Sequence, residues 1–136
     1  GPEYKNILSI SKNLNIRKKV IIFKKLNNPY PYIKNSDLLI LSSTYEGMGN
    51  ILVEAITLGT PIISSNCNSG PSEILLNGKG GDLFKVSDYT ELSKKIIKHF
   101  NNIKLLKKKI KYAQKKLFRF DKNNHAKIYS KIFHKL

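Results

Sequence analysis

Apolar residues along the chain follow two spacings, one typical of helices and one typical of buried strands. The segment from Glu3 to Leu14 repeats apolar side chains at helical intervals. Four short apolar runs predict strands, at Val20–Phe23, Leu38–Leu41, Pro61–Ser64 and Asp82–Phe84. Runs of this kind are typical of parallel strands that are covered on both faces.

Helix signals separate these runs. Tyr30–Lys34 predicts a single helical turn. Asn50 is placed to cap a helix that runs to about Leu58, where Gly59 ends it. Pro71 suits the first position of a further short helix, because its missing N–H has no intrahelical partner there.

The chain becomes helical from Asp88, which forms a predicted capping box with Glu91. Two or three helices fill Tyr89–Leu136, with breaks near Asn101–Asn102 and Phe120–Asn124. Because strands and helices alternate before this segment, the sequence predicts an α/β fold, a Rossmann-like parallel sheet with flanking helices. We expect a single domain over residues 1–136, with C-terminal helices over residues 88–136.

Composition adds limits rather than a function. The single cysteine, Cys67, rules out an internal disulfide, and no apolar run approaches the roughly 20 residues that span a bilayer. The net charge of +16 indicates either an anionic partner or a compositional bias. Lys, Asn and Ile make up about 40 % of the chain, whereas arginine occurs only at Arg17 and Arg119.

The residues with the clearest chemistry lie between Ser42 and Leu75. Glu46 and Glu54 are separated by seven residues that include two glycines, and a helix begins between them. Glycine allows close approach of a ligand to the backbone, and the first N–H groups of a helix bind phosphates. Carboxylates repel phosphates but accept hydrogen bonds from hydroxyl groups. This pattern predicts a site for a phosphorylated ligand that carries hydroxyl groups.

This region resembles the C-terminal, donor-binding domain of glycosyltransferase family 4, whose enzymes have the two-domain GT-B architecture. The matching E-x7-E element, Glu46–Glu54, follows Asp37-Leu-Leu-Ile-Leu-Ser-Ser and precedes Gly59-Thr-Pro-Ile-Ile. Asn28-Pro29-Tyr30 and Gly70-Pro71-Ser72-Glu73-Ile74 resemble a bacterial subset that builds surface polysaccharides and glycan precursors. The resemblance implies a retaining transferase that uses a nucleotide diphosphate sugar, a UDP-sugar above all, and needs neither a metal ion nor another cofactor.

The resemblance also implies roles for individual residues. Glu46 would be the catalytic-site carboxylate that faces the donor sugar, and Glu54 would hold the ribose. The diphosphate and the sugar would lie against Gly47, Met48, Gly49, Asn50, Ile51 and Leu52. Lys24 is a further candidate because it stands where the family has glycine, and Glu73 is another because it follows the second glycine turn.

Ordinary structural roles would also explain these side chains. Glu46 would then be a surface charge on a loop, and Glu54 a solvated position on a helix. Glu73 would only stabilise the positive end of a short helix dipole. Lys24 would only disturb a loop that packs near the base.

Part of the family pattern has no counterpart in this chain. Gly1-Pro2-Glu3-Tyr4 resembles the end of the second of two strand–helix units that open the family's donor domain, where a basic pair grips the diphosphate. The N-terminal acceptor-binding domain is also without a counterpart. Because the two absent strands are central in the family's sheet, we expect one of two arrangements. Either the domain is truncated at its N-terminus and belongs to a larger enzyme, or the Val20 strand pairs directly with the Leu38 strand.

The segment Leu92–Phe120 combines Ile, Leu and Phe with many lysines and contains no acidic residue. One interpretation is an interfacial surface that binds an anionic membrane, on an enzyme of the cytoplasm at the inner membrane face. The other is a core-packing helix with a solvated lysine face. In the family the last helix crosses back to the acceptor domain, so the apolar face of Phe120–Phe133 would be exposed.

We considered three alternatives to an active transferase. A catalytically inactive nucleotide-binding remnant would keep the same sheet. A nucleic-acid-binding domain is disfavoured because aromatic-rich basic motifs are missing, and a dinucleotide-dependent oxidoreductase because no Gly-x-Gly-x-x-Gly follows a strand. We therefore predict the donor-binding part of an enzyme that transfers a hexose or N-acetylhexosamine in bacterial glycan synthesis, without activity in this chain alone.

Overall fold

A parallel sheet forms the centre of the protein. The computed structural model describes residues 2–134, apart from the side chain of Ile128, so Gly1, Lys135 and Leu136 lie outside it. In this part of the chain the strand order is β1 (Leu39–Leu41), β2 (Ile62–Ser65) and β3 (Asp82–Phe84). The register pairs Leu39 with Ile62 and Ile63 with Asp82. The predicted α/β class is confirmed.

Helices form the connections and the C-terminal segment. They are α1 (Tyr4–Asn13), α2 (Tyr30–Lys34), α3 (Asn50–Leu58), α4 (Pro71–Ile74), α5 (Tyr89–Asn101), α6 (Ile103–Gln114) and α7 (Lys122–Phe133). Short 3₁₀ helices occupy Arg17–Lys19 and Leu117–Phe120. The break predicted near Asn101–Asn102 is confirmed. The break predicted near Phe120–Asn124 ends earlier than expected, because the Asp121 side chain caps α7 and Asn123 and Asn124 are helical. No helix within residues 2–134 is long and apolar enough to cross a membrane.

Both faces of the sheet are covered, because successive side chains of β2 point in opposite directions. Ile62 belongs to the larger cluster, which contains buried residues of α3 and α6. Ile63 belongs to a second cluster with Phe84 and Leu106, against which Leu92 and Ile96 of α5 pack. Helices therefore pack on both faces of the sheet.

The prediction of a strand at Val20–Phe23 is wrong. The backbone is extended at Val20, with φ −107° and ψ 119°, but no strand of the described chain pairs with this segment. Ile21 is 77 % exposed and Phe23 is 50 % exposed. Apolar β-branched residues favour an extended backbone, but a strand also needs a neighbour for its hydrogen bonds. The direct pairing of this segment with the strand at Leu38 is therefore absent from residues 2–134.

Helix ends follow most of the predicted signals. Gly59 ends α3 in the left-handed conformation, with φ 80°. Asp88 Oδ1 accepts a hydrogen bond from the Glu91 N–H at 2.7 Å, but the Glu91 carboxylate accepts from the N–H of Lys85 rather than from Asp88. Gly49, and not Asn50, occupies the N-cap position of α3. The reason is its φ of 65°, a left-handed value that glycine adopts without strain.

Candidate functional site

Two loops meet at the carboxyl ends of the strands. Residues 42–49 join β1 to α3, and residues 66–70 join β2 to α4. Parallel strands end at the same edge of a sheet, so α3 and α4 both begin there. A Cβ built on Gly70 would lie 3.2 Å from the backbone oxygen of Met48. The two loops therefore touch through their backbones.

The carboxylate of Glu46 is held by the sheet through two serines. The Ser43 hydroxyl donates a hydrogen bond of 2.6 Å to Glu46 Oε1. The hydroxyl of Ser65, which ends β2 and is fully buried, donates a 2.6 Å bond to the backbone oxygen of Ser43. This chain of contacts fixes the position of one oxygen of a half-buried acid and leaves the other oxygen for a ligand hydroxyl.

The turn between Glu46 and α3 combines an open glycine with a packed one. A Cβ built on Gly47 would meet nothing within 4 Å, so the backbone there is open to an approaching group. Gly49 is buried, and a Cβ on it would lie 3.4 Å from Cδ1 of Ile74. Gly49 adopts a left-handed backbone and occupies the N-cap position of α3. N–H groups of a first helical turn lack intrahelical partners and are suited to an anion.

The residues predicted to contact the diphosphate and sugar differ in solvent exposure. Met48 is 59 % exposed, Asn50 is exposed and Ile51 is half-buried. Leu52 has a side chain with 0 % exposure, and its N–H donates to the Gly49 oxygen at 2.9 Å. The side chain of Leu52 and its N–H are thus both engaged within the protein.

A cleft of about 300 Å³ lies between the two loops. Its lining residues come from three parts of the chain: Gly47, Met48, Ser69, Gly70, Glu73, Ile74 and Phe120. The exposed Glu73 is therefore brought beside the glycine turn, as predicted candidates of one site would be. Phe120 ends the 3₁₀ helix at Leu117–Phe120 and closes one side.

Glu54 lines a different cleft. It lies on α3, half-buried, in a depression of about 390 Å³ that it shares with Tyr30, Val53, Thr57 and Leu58. Glu46, on the loop before α3, and Glu54, on α3 itself, therefore have different surroundings. A ligand that contacts both would have to extend along the N-terminal half of this helix.

Lys24 is not among the residues that line either cleft. It is exposed, and its Nζ lies 5.5 Å from the ring centroid of Tyr4 in α1. Such a cation–π contact stabilises the bend after the extended segment. The structure thus brings Gly47, Met48 and Glu73 into one cleft, with Glu46 next to Gly47 on the same loop, and leaves Lys24 at α1.

Sequence reasoning missed three residues of this site. Ser43 could have been considered, because it is a hydroxyl donor only three residues before Glu46. Ser65 and Phe120 carry no local signal, since they reach the site through the pairing of β2 and the path of the C-terminal segment.

Comparison with known proteins shows the family. The chain matches the family model "Glycosyl transferases group 1" over residues 1–116. N-acetyl-alpha-D-glucosaminyl L-malate synthase of Bacillus anthracis is 35 % identical over 97 residues, which are 71 % of this chain and 25 % of that protein. An N-acetylgalactosaminyltransferase of Campylobacter jejuni that acts on a diphospho-undecaprenol compound is 26 % identical over 116 residues, 85 % of this chain and 32 % of that protein. This chain thus spans about a quarter to a third of these curated relatives.

Solved structures show the same fold. Anabaena HepE in complex with UDP superposes with a TM-score of 0.86, at 21 % identity, over 97 % of this chain and 36 % of that chain. A glycosyltransferase from Rickettsia africae superposes with a TM-score of 0.84, at 22 % identity, over 98 % of this chain and 36 % of that chain. These are likenesses of fold alone, while the family model covers most of the sequence. The chain belongs to the glycosyl transferases group 1 family.

Proposed function

We propose that this chain is the donor-binding part of a retaining, family-4 glycosyltransferase that uses a UDP-sugar in bacterial glycan synthesis. The observation that carries the proposal is the Glu46 carboxylate, which Ser43 holds beside the open backbone of Gly47. A fixed hydrogen-bond acceptor beside the start of a helix is suited to a ligand that carries hydroxyl groups next to phosphates.

Each part of the ligand has its own contacts in this proposal. Glu46 is the catalytic-site residue and accepts hydrogen bonds from hydroxyls of the donor sugar. The diphosphate lies against the backbone from Gly47 to Ile51 at the start of α3, with the exposed Met48 beside the sugar. Leu52 leaves this set, because its side chain is buried and its N–H bonds the Gly49 oxygen. Glu54 accepts from the ribose hydroxyls, and Glu73 lines the sugar end of the cleft.

A UDP-sugar is the proposed donor because a relative of this fold, Anabaena HepE, has been solved with UDP. We expect no metal ion in the reaction. Backbone N–H groups and basic side chains can neutralise a diphosphate, and such fixed groups stabilise charge in a transition state without the reorganisation that water requires. Lys24 remains a candidate phosphate contact only if its bend moves away from Tyr4.

The acceptor-binding domain of the proposed enzyme is a partner outside this chain. Two surfaces are suited to contact with the remainder of such an enzyme. The apolar side of α7 exposes Tyr129, Ile132 and Phe133, with Phe133 70 % exposed. The edge strand β1 exposes Ile40 by 41 %, and an unpaired strand edge accepts a further strand. Activity, and retention of configuration at the anomeric carbon, would then be measurable only in the whole enzyme.

Calorimetry with UDP tests the proposal on the 136-residue chain. We expect weak binding, and a loss of roughly tenfold or more in Glu54→Ala, because a hydrogen bond to a charged group contributes about 1.5–3 kcal/mol. Glu3→Ala makes the same change of charge before α1, away from both clefts, and should bind as the original chain does. Binding unaffected by Glu54→Ala would refute the ribose assignment.

A second candidate function is the catalytically inactive nucleotide-binding remnant. Such a remnant would have the same UDP site, so it predicts the same UDP affinities in calorimetry. The two differ in the gene: about 200 further in-frame residues before Gly1 are expected for a part of an active enzyme, since one ordinary domain has that size. An in-frame stop codon shortly before the codon for Gly1 would favour the remnant.

We also propose that α5 and α6 bind an anionic membrane surface. Leu92–Phe120 contains eleven basic residues and no acidic one. Among these lysines α5 exposes two large apolar side chains, Ile97 at 58 % and Phe100 at 54 %, which lie one helical turn apart. Lysines attract anionic headgroups, and apolar side chains insert between them. DNA would use the lysines but not these two residues.

Co-sedimentation with vesicles tests this surface. The chain should bind vesicles that contain phosphatidylglycerol and release them at high salt. Ile97→Ser with Phe100→Ser should weaken that binding, whereas Ile132→Ser on α7 should not. An equal loss of vesicle binding in both variants would contradict a membrane role. So would a chain that binds no vesicles but binds DNA, with the DNA affinity unchanged by the Ile97 and Phe100 substitutions.

A further inference from the structure

Arg119 is one of only two arginines in a chain whose other basic side chains are lysines. The chain has 23 lysines and two arginines, so lysine serves at nearly every exposed basic position. Arginine differs from lysine in its planar group of five N–H donors, which can bond several acceptors at once. A position that keeps arginine in such a chain is expected to use that geometry.

The guanidinium of Arg119 bonds three backbone oxygens. Nη1 donates to the oxygen of Glu73 at 3.3 Å, and Nη2 donates to the oxygen of Ile74 at 3.2 Å. Nε donates to the oxygen of Lys116 at 3.2 Å. Glu73 and Ile74 are the last residues of α4. The Glu73 oxygen also accepts from the Leu76 N–H at 3.1 Å, so Arg119 gives it a second donor. One side chain thus joins the end of α4 to the C-terminal 3₁₀ helix.

The same group also contacts the aromatic wall of the cleft. The guanidinium carbon of Arg119 lies 5.0 Å from the ring centroid of Phe120. Phe120, Glu73 and Ile74 all line the cleft that Gly47 and Met48 close from the other side. Arg119 therefore holds both the helical and the aromatic part of one wall, although it does not line the cleft itself.

We propose that Arg119 is a positioning residue for the donor sugar, which it serves by holding Glu73 and Phe120 in the wall of the cleft. This role rests on the proposed function, because it assigns the sugar end of the donor to that wall. The uridine and ribose lie toward Glu54, in the other cleft, so Arg119 should affect the sugar more than the nucleotide.

Calorimetry with two probes, UDP and UDP-glucose, separates positioning from a purely structural role. In Arg119→Lys we expect the affinity for UDP-glucose to fall by on the order of tenfold, because small displacements of positioning groups have large effects. The affinity for UDP should stay within about twofold, since UDP lacks the sugar. Arg17→Lys is the matched control: Arg17 bonds the Val20 oxygen at 2.9 Å, outside both clefts, and its replacement should change neither affinity.

Amide hydrogen exchange gives a second measurement that needs no ligand. Residues 71–78, which include α4, should exchange faster in Arg119→Lys and at the original rate in Arg17→Lys. If the original chain binds neither probe, the proposed function fails, and unchanged exchange would then overturn the role of Arg119 as well. Equal loss of UDP and UDP-glucose affinity in Arg119→Lys would overturn the positioning role while the proposed function stands.

Discussion

Ser43 donates a 2.6 Å hydrogen bond to the carboxylate of Glu46 and so fixes the acid on which the proposed site depends. Ser43 is itself held by Ser65 at the end of β2. A carboxylate on a loop would otherwise sample several rotamers, and each lost rotamer is a cost of binding. The sheet therefore orients the acid before any ligand arrives.

Removal of the Ser43 hydroxyl tests this arrangement. Ser43→Ala should weaken UDP-glucose binding by roughly fivefold, which corresponds to about 1 kcal/mol for one hydrogen bond. Ser42→Ala provides the control, because Ser42 is exposed and adjacent to Ser43. Isothermal titration of both variants gives the comparison, and identical affinities would show that the contact does not orient Glu46 for a ligand.

The two glycines at the loop contact should respond differently to alanine. Gly70→Ala places a Cβ 3.2 Å from the Met48 oxygen at a φ of 96°, so we expect a loss of about 1–3 kcal/mol in the free energy of unfolding. Gly47→Ala meets nothing within 4 Å, and stability should change by less than about 0.5 kcal/mol while UDP binding weakens. Urea denaturation measures the first effect and calorimetry the second. The proposal of an open diphosphate contact at Gly47 fails if Gly47→Ala binds UDP normally.

His99 is a buried polar side chain of α5 that borders a cleft together with Lys34, Asp37 and Pro61. It is 3 % exposed, and neither ring nitrogen has a hydrogen-bond partner among the described residues. An unsatisfied buried polar group costs about 1–3 kcal/mol, so His99→Leu should raise the free energy of unfolding by roughly 1 kcal/mol. His134→Leu, at an exposed position, should have little effect. A less stable His99→Leu protein in urea denaturation would mean that the imidazole makes favourable contacts of its own.

Glu91 should make stability depend on pH in the acid range. The N–H of Lys85, and then the ammonium of Lys95, hold the pKa of Glu91 below its ordinary value of 4.5. The folded state thus favours the carboxylate, so its stabilisation is present above pH 4.5 and is lost as the pH falls through the lower folded-state pKa.

Glu91→Gln tests this dependence. Its Tm should lie below that of the original chain at pH 7, and the difference should shrink on acidification. Lys95→Met keeps the Lys85 contact and should show a smaller effect of the same sign. Thermal unfolding followed by circular dichroism at several pH values measures both. A Tm difference that stays constant with pH would mean that the charge of Glu91 does not contribute to stability.

Much of the architecture was determined by the sequence alone. The apolar runs at Leu38–Leu41 and Pro61–Ser64 became β1 and β2 within one residue at either end, because local apolar patterning and burial agree there. The class of fold followed from the same patterns. Gly59 ended α3 as predicted, since a left-handed residue at that place depends only on local backbone geometry.

Only the tertiary structure decided which residues distant in sequence are in contact. Val20–Phe23 has the composition of a strand but no pairing partner in residues 2–134, and composition cannot supply one. Glu46 and Glu54 belong to one motif in the sequence, yet Glu46 is held by Ser43 on the loop before α3, whereas Glu54 lines a separate cleft on α3. Ser65, Phe120 and Arg119 reach the site from 19, 74 and 73 residues beyond Glu46, over distances in sequence that no local pattern encodes. Contacts of that range depend on strand pairing and helix packing, which form only when the whole chain folds.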